Sequence, residues 1–370
     1  MKLQNIRLIQ FKNYSKSDFE FVEGINCLLG KNGVGKTNIL DAIHYLAFTK
    51  SAFNSVDKDN ILHNEKFFSI KAQFQKDGKK VDMLCAVQLG EKKMIRWEGK
   101  EYERLSDHIG KLPLVMIIPQ DTDIVREASE MRRKFFDNLL CQVDQKYLQL
   151  LVKYNHLLKQ RNALLKSLGE QNRFEISRIE PYDELMIPLA IEIAECRKQL
   201  MKQFLPVFST YYKDLSDGRE DVDIIYQTTV DNNFAEIFKS RRQKDFQQGR
   251  TTLGAHRDDF LFTIDAYPLK KFGSQGQQKS FVIALKLAQF ELLHLAKSQK
   301  PLLLLDDIFD KLDDKRIAYL LKMMADGRFG QIFLTDARPE RSRNYLDALE
   351  IEKKYFQLND NKDITTDESI

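Results

Sequence analysis

The stretch Gly30-Lys31-Asn32-Gly33-Val34-Gly35-Lys36-Thr37 constrains this chain more than any other. It fits G-x-x-x-x-G-K-[ST], in which glycines let the backbone wrap until successive N–H groups point inward and cradle the phosphates of a nucleotide. Lys36 then reaches the β and γ phosphates, and Thr37 offers its hydroxyl to Mg²⁺. The apolar run Ile25 to Leu29 leads into the loop and reads as a central strand, buried on both faces. After the loop, Ile39, Leu40, Ile43 and Leu46 share one face of a helix, whose N-terminal dipole favours an anion. Strand, loop and helix follow in the order that a nucleoside triphosphate site in an α/β fold requires. Such a loop says only that a triphosphate binds, so the remaining motifs must say what for.

At 370 residues the chain can bury a full core and is expected to divide into two domains or lobes. Hydrophobic residues make up 43% and charged residues 30%, the balance of a water-soluble globular protein. No run of eighteen apolar residues occurs, and Met1-Lys2-Leu3-Gln4-Asn5 lacks the apolar core of a signal peptide, which makes the cytoplasm the expected compartment. Cys27, Cys85, Cys141 and Cys196 lie far apart among apolar neighbours and read as reduced core residues. A net charge of +4 is only mildly basic, so contact with nucleic acid needs positive charge gathered locally.

Along the chain, Leu3 to Phe11 and Asp18 to Val22 read as a hairpin. Phe68, Ile70, Ala72 and Phe74, then Val81, Met83, Cys85, Val87 and Leu89, alternate around Asp77-Gly78 as a second one. Met94 to Trp97 extends that sheet, and Pro113 to Pro119 holds a buried strand. The pattern then turns helical. Phe136, Leu140, Val143, Tyr147, Leu150, Tyr154, Leu157, Leu164 and Leu168 recur in steps of four and three, with Arg161 as the one exception. That seam predicts a single helix of about 50 Å. Leu185, Leu189, Ile193, Cys196 and Leu200 supply the partner stripe, so an antiparallel helical hairpin is expected from Ser129 to Tyr212, its return helix bent or broken by Pro188 and Pro206. Val222 to Thr228 and Phe260 to Ile264 read as strands. The basic stretch Lys239-Ser240-Arg241-Arg242-Gln243-Lys244 is either a solvated face or a phosphate contact for DNA.

Pro301-Leu302-Leu303-Leu304-Leu305-Asp306-Asp307 is an apolar strand that delivers two carboxylates to the edge of the sheet where phosphate and metal sit. Asp306 is placed to hold Mg²⁺ through water, and Asp307 to orient or deprotonate the attacking water. Ser274-Gln275-Gly276-Gln277 opens the amphipathic helix Phe281 to Ala296 and forms a second anion site. One triphosphate cannot occupy loops on two different helices of one chain. The economical arrangement is therefore two chains face to face, each offering this second loop to the nucleotide held by the other.

Gly30 to Thr37, Ser274 to Gln277, Leu302 to Asp307 and Phe309-Asp310-Lys311-Leu312-Asp313, in that order, resemble an ABC-type ATPase head of the SMC-like class. The N-terminal Leu8-Ile9-Gln10-Phe11-Lys12-Asn13-Tyr14, the stretch Gly254-Ala255-His256-Arg257-Asp258-Asp259 and the short helical insertion narrow the resemblance to the bacterial RecF family. That family usually has proline where this chain has Ala255, while Asp307 and Asp336, where transporter domains carry glutamate and a switch histidine, suit it, and the shorter carboxylate of Asp307 implies slow hydrolysis used as a switch. The resemblance implies an ABC-type head, a mixed sheet with a P-loop, carrying an inserted α-helical hairpin lobe. Its expected divisions are residues 1–120 (head, N-terminal part), 121–220 (helical lobe), 221–357 (head, C-terminal part) and 358–370 (a disordered acidic tail). It further implies a weak ATPase that uses ATP and Mg²⁺, dimerises on ATP, binds single-stranded and gapped duplex DNA, and works with RecO and RecR to load RecA in recombinational repair, with no membrane partner.

By the same resemblance Gly30, Lys31, Asn32, Gly33, Val34, Gly35, Lys36 and Thr37 hold the phosphates and Mg²⁺. Gln120, in Ile118-Pro119-Gln120 at the end of a buried strand, joins Asp306 in the metal and water shell. Lys12 and Asn13 are expected near the nucleotide, Ser274, Gly276 and Gln277 to act across the dimer, and His256 and Arg257 to be structural.

Overall fold

The computed structural model describes residues 1–359 and 364–369. It separates into two compact units, one formed by Met1–Asp121 with Ile283–Ile370 and the other by Thr122–Val282.

The first unit holds two six-stranded sheets. One is an antiparallel sheet of β1 (Lys2–Phe11), β2 (Tyr14–Glu20), β4 (Phe67–Lys76), β5 (Lys79–Gln88), β6 (Met94–Trp97) and β7 (Lys100–Glu101), ordered β2-β1-β4-β5-β6-β7. The turn between β4 and β5 has Asp77 and Gly78 both at positive φ, 50° and 77°, as a two-residue hairpin turn that matches strand twist requires. The other sheet contains β3 (Ile25–Leu29), β8 (Leu114–Ile117), β12 (Leu302–Leu305), β13 (Ile332–Asp336), β14 (Lys353–Leu358) and β15 (Ile364–Ser369), ordered β15-β14-β3-β13-β12-β8. Its strands run parallel except for β15, which pairs antiparallel with β14.

Between the sheets lies the helix Lys36–Phe48. Leu8, Phe11, Phe68, Ile70 and Met83 of the antiparallel sheet, Ile39, Ile43 and Leu46 of the helix, and Leu28, Leu304 and Phe333 of the parallel sheet form one continuous buried cluster. Alternate residues of the central strands, such as Cys27, Leu303 and Leu334, are buried as well, which is why these strands read as unbroken apolar runs.

The second unit combines helices Ser129–Val143, Gln145–Glu170 and Ile176–Ser216 with a three-stranded sheet, ordered β11-β10-β9, of β9 (Val222–Gln227), β10 (Asp259–Ile264) and β11 (Tyr267–Pro268). Several expectations are corrected here. The apolar seam is carried by two helices, because Asp144 leaves helical geometry (φ −126°, ψ 112°) and its carboxylate accepts a bond from the Lys146 N–H as the cap of the next helix. The return helix is continuous over 41 residues although Pro181, Pro188 and Pro206 lie inside it. Leu185 is exposed, and the buried stripe runs instead through Ile179, Asp183, Met186, Ala190, Ile193, Arg197 and Leu200.

The segment 221–282, assigned from the sequence to the ATPase head, belongs to the helical unit. The reason is packing within that unit: Phe260 stacks on Phe136 with ring centroids 4.1 Å apart, and Phe281 meets Phe208 at 4.6 Å. In the tail expected to be disordered, Ile364–Ser369 forms β15; residues 360–363 and 370 lie outside the described residues.

Candidate functional site

The loop Gly30–Gly35 rises from the C-terminal end of β3, and its shape depends on its glycines. Gly35 has φ 113°, and a Cβ there would meet Asn13 Nδ2 at 2.6 Å and Tyr14 Oη at 2.7 Å. Those two side chains are the reason for the close approach. Asn13 Nδ2 donates to the Val34 carbonyl at 3.1 Å, and Tyr14 Oη donates to the Gly35 carbonyl at 3.1 Å. Asn38 Nδ2 donates in turn to Asn13 Oδ1 at 2.8 Å. With loop carbonyls turned outward to these partners, the opposite faces of the peptides are left for an anion.

Asn32, Gly33, Gly35, Lys36, Thr37, Asn38 and Asp307 line a cavity of about 270 Å³, open to solvent. Lys36 is nearly enclosed, and its ammonium donates to the carbonyls of Gly30 (2.7 Å) and Lys31 (3.0 Å). Burial lowers its pKa, while the carboxylates of Asp307, Asp306 and Asp336 oppose that shift.

At the cavity floor Thr37 Oγ1 donates to Asp306, at 2.9 Å from Oδ1 and 3.2 Å from Oδ2. A hydroxyl and a carboxylate side by side are hard oxygen ligands of the kind Mg²⁺ takes. Among the described residues there is no cluster of three or more acidic, histidine or cysteine side chains that could hold an ion by protein groups alone. By the chemistry of its oxygens the Thr37–Asp306 pair fits Mg²⁺.

Asp306 and Asp307 are oriented by a residue the sequence reading did not assign. Thr335 Oγ1 donates to Asp306 Oδ1 at 2.7 Å and accepts the Asp307 N–H at 2.9 Å. The strand register accounts for it: in the parallel pairing of β12 with β13, Leu305 lies opposite Leu334, so the next residue of each strand meets its counterpart. Asp307 adopts left-handed geometry (φ 44°, ψ 38°) and turns into the cavity. Asp336 instead points inward, bound by Arg341 at 2.6 Å and Ser342 at 2.5 Å.

Of the other expected site residues, Asn13 reaches the loop. Lys12 does not line the cavity: its ammonium pairs with the buried Asp41 at 2.6 Å. Gln120 is exposed in the short turn after β8, on the same sheet edge as Asp306, whose N–H donates to Ile117. In the other unit, Ser274 and Gln277 bond each other. The Ser274 N–H donates to Gln277 Oε1 at 2.7 Å and the Gln277 N–H to Ser274 Oγ at 3.2 Å, a reciprocal cap for the helix Gln275–Lys297. Gly276 lies between them. Backbone of the segment around Phe309 runs through the short helix Ile308–Lys311, and the Asp310 and Lys311 side chains lie outside the described residues. In the basic stretch, Arg242 is committed internally, to Asp183 at 2.6 Å and Glu180 at 3.1 Å, which removes it from the candidate DNA contacts.

Comparison with known proteins agrees with this geometry. Residues 2–354 match the family model described as the RecF/RecN/SMC N terminal domain. A Flavobacterium johnsoniae protein called DNA replication and repair protein RecF is 42% identical over 359 residues, covering 97% of this chain and 100% of that one. Its Cytophaga hutchinsonii namesake is 43% identical, covering 92% and 91%. Among solved structures, a recombination mediator protein RecF with ATP, of the RecFOR pathway, superposes with a TM-score of 0.86 at 26% identity, covering 98% of each chain. An Smc head bound to a ScpA domain, at 15% identity and TM-score 0.60, shares the fold. The chain thus belongs to the RecF/RecN/SMC family, and within it to the RecF proteins.

Proposed function

We propose that this protein is an ATP-dependent DNA-binding switch of recombinational repair and replication restart. It dimerises on ATP, acts at single-strand gaps, and works with RecO and RecR to load RecA. The observation that carries the reading is the Thr37–Asp306 pair at the floor of a glycine-shaped cradle that also presents Lys36 and Asp307. The relatives named for DNA replication and repair, and the RecF–ATP structure of the RecFOR pathway, support the biological setting.

In this mechanism the N–H groups of the loop and the Lys36 ammonium bind the β and γ phosphates. Thr37 and Asp306 would hold Mg²⁺, which would supply Lewis-acid withdrawal of charge from those phosphates. Asp307 orients the attacking water, held at its angle by Thr335, and Gln120 completes the water shell from the neighbouring strand end. Ser274, Gly276 and Gln277 of a second copy close over the nucleotide from the far side, trading part of their own cap for phosphate oxygens. Lys and Arg side chains of the paired molecule meet DNA mainly through phosphates, so binding falls steeply with salt. Turnover is slow and serves to release the grip. No helix among the described residues is long and apolar enough to cross a membrane, and the proposed work lies in the cytoplasm.

Sedimentation of the purified protein with and without ATP, Mg²⁺ and gapped DNA tests the reading. The wild type is expected to dimerise only with ATP. Lys36→Met is expected to lose nucleotide binding, and Ser274→Arg to keep it while remaining a monomer. Normal ATP-driven dimerisation of Ser274→Arg would overturn the shared-site arrangement.

A further inference from the structure

The stretch Gly254-Ala255-His256-Arg257-Asp258-Asp259 has no part in the nucleotide cradle, yet its backbone is fixed at almost every residue. Gly254 has φ 121°, and a Cβ there would come within 2.6 Å of Tyr154 Oη. His256 is wedged between Tyr154 Oη, 2.8 Å from Nδ1, and the Thr251 carbonyl, 3.1 Å from Nε2. Arg197 donates to the Ala255 carbonyl at 2.7 Å, and Arg133 to the Asp258 carbonyl at 2.6 Å.

The two carboxylates that follow Arg257 are natural counter-ions for it, and both are already taken. Asp258 accepts from Arg197 and Thr228 at 2.7 Å and from Tyr226 at 2.5 Å. Asp259 accepts a two-pronged pair from Arg132 at 2.7 and 3.0 Å. Arg257 itself is exposed between the buried Ala255 and Asp258, and among the described residues no hydrogen bond or ion pair holds its guanidinium.

We propose that Arg257 is a preorganised contact for a phosphate group. A guanidinium presents a planar fork that matches phosphate oxygens, and an arginine carried on a fixed backbone loses less freedom on binding than one on a loose loop. His256, neutral and half-buried beside it, serves to hold the turn and not to bind. The inference rests on the proposed function, which supplies two sources of that phosphate: the backbone of the bound DNA, or the triphosphate held by a second copy.

The test uses the full chain carrying Arg257→Ala or Arg257→Lys, with circular dichroism to check that both fold. Binding to a gapped duplex is followed across a salt series, and ATP-driven dimerisation by sedimentation. If the DNA backbone is the source, Arg257→Ala is expected to weaken DNA binding about tenfold at moderate salt and to reduce the log–log salt slope by about one, with ATP-driven dimerisation unchanged. If the triphosphate is the source, dimerisation weakens by a similar factor at unchanged salt slope. In either case Arg257→Lys falls between, since it keeps charge and loses the fork. Arg257→Ala matching the wild type in affinity, salt slope and dimerisation overturns the inference. A wild type that binds neither DNA nor ATP sinks the functional reading instead, and the inference with it.

Discussion

Thr335 shows how much of this site rests on a residue without charge. Its hydroxyl serves Asp306 and the Asp307 N–H at once, and it is fully buried. Replacing it with valine keeps the shape, removes a donor from Asp306 and leaves the Asp307 N–H without its acceptor, at a cost of about 1–3 kcal/mol to the fold. For Thr335→Val we expect ATP turnover to fall about tenfold, or ~1.4 kcal/mol in the barrier, with little change in KM, and Mg²⁺ to strengthen ATP binding less than in the wild type. Thr335→Ser should restore both, as steady-state rates and ATP titrations with and without Mg²⁺ can check. Equal loss in the serine and valine variants would show that the hydroxyl alone does not carry the effect. Lys36, Thr37, Asp306 and Asp307 were legible because their spacing is local. Thr335 was not, since its meaning comes from a strand neighbour 29 residues away in sequence, Asp306.

At the scale of elements, the helical unit shows what a pattern of apolar residues hides. Arg161 looked like a fault in the seam, yet it is fully buried and forks to Asp183 at 2.8 Å and Asp245 at 2.7 Å, with Thr251 at 2.9 Å. Its partners come from the return helix and from a segment more than eighty residues away, so periodicity alone could not reveal them. Arg161→Met removes the cation between two buried carboxylates, leaving Asp183 to Arg242 and Asp245 to the N–H and hydroxyl of Thr252, and is expected to destabilise the protein by roughly 3 kcal/mol, read as a lower urea midpoint. Arg161→Lys should cost less, because it keeps the charge while losing the second prong. A midpoint unchanged in Arg161→Met would mean that the pairs contribute nothing to stability. The break at Asp144 was hidden for a related reason: the heptad spacing continues across it, and only the capping bond marks the end of one helix and the start of the next.

For the molecule as a whole, the buried strands and the α/β character followed from apolar runs and the phosphate loop, whereas the strand order and the division into units did not. Strands β9 and β10 read as more of the ATPase sheet because a strand's own residues do not say which sheet it joins; the aromatic contacts of Phe260 and Phe281 decide it. Stability should also depend on pH through histidines sealed in a neutral state. His108 is fully buried, with Nε2 2.7 Å from the Leu46 carbonyl, and burial lowers its pKa to about 4. His256 is lowered to about 4 for the same reason. Because the folded value lies below the ordinary 6.5, the unfolded chain takes up protons first, so this stabilisation is complete above that pH and lost as pH falls toward 4. For His108 alone the loss at pH 5 is about 2 kcal/mol. Urea midpoints at pH 7 and pH 5 should differ accordingly, and His108→Gln should flatten the difference; an identical slope in that variant would contradict the assignment.

The charges set into the helical seam also act as an alignment key. Sliding the return helix by one heptad would bring Ala190 or Ile176 opposite Arg161 in place of Asp183, leaving the buried guanidinium to Asp245 alone and an apolar side chain against its free prong. The mismatch disfavours a shifted pairing of the two helices. On the same return helix the buried Arg197 pairs with Asp137 at 2.9 Å and with Asp258 at 2.7 Å. A lobe transplanted between relatives, or shortened by whole turns, must carry Asp137, Arg161, Asp183, Arg197, Arg242, Asp245 and Asp258 together as a matched set.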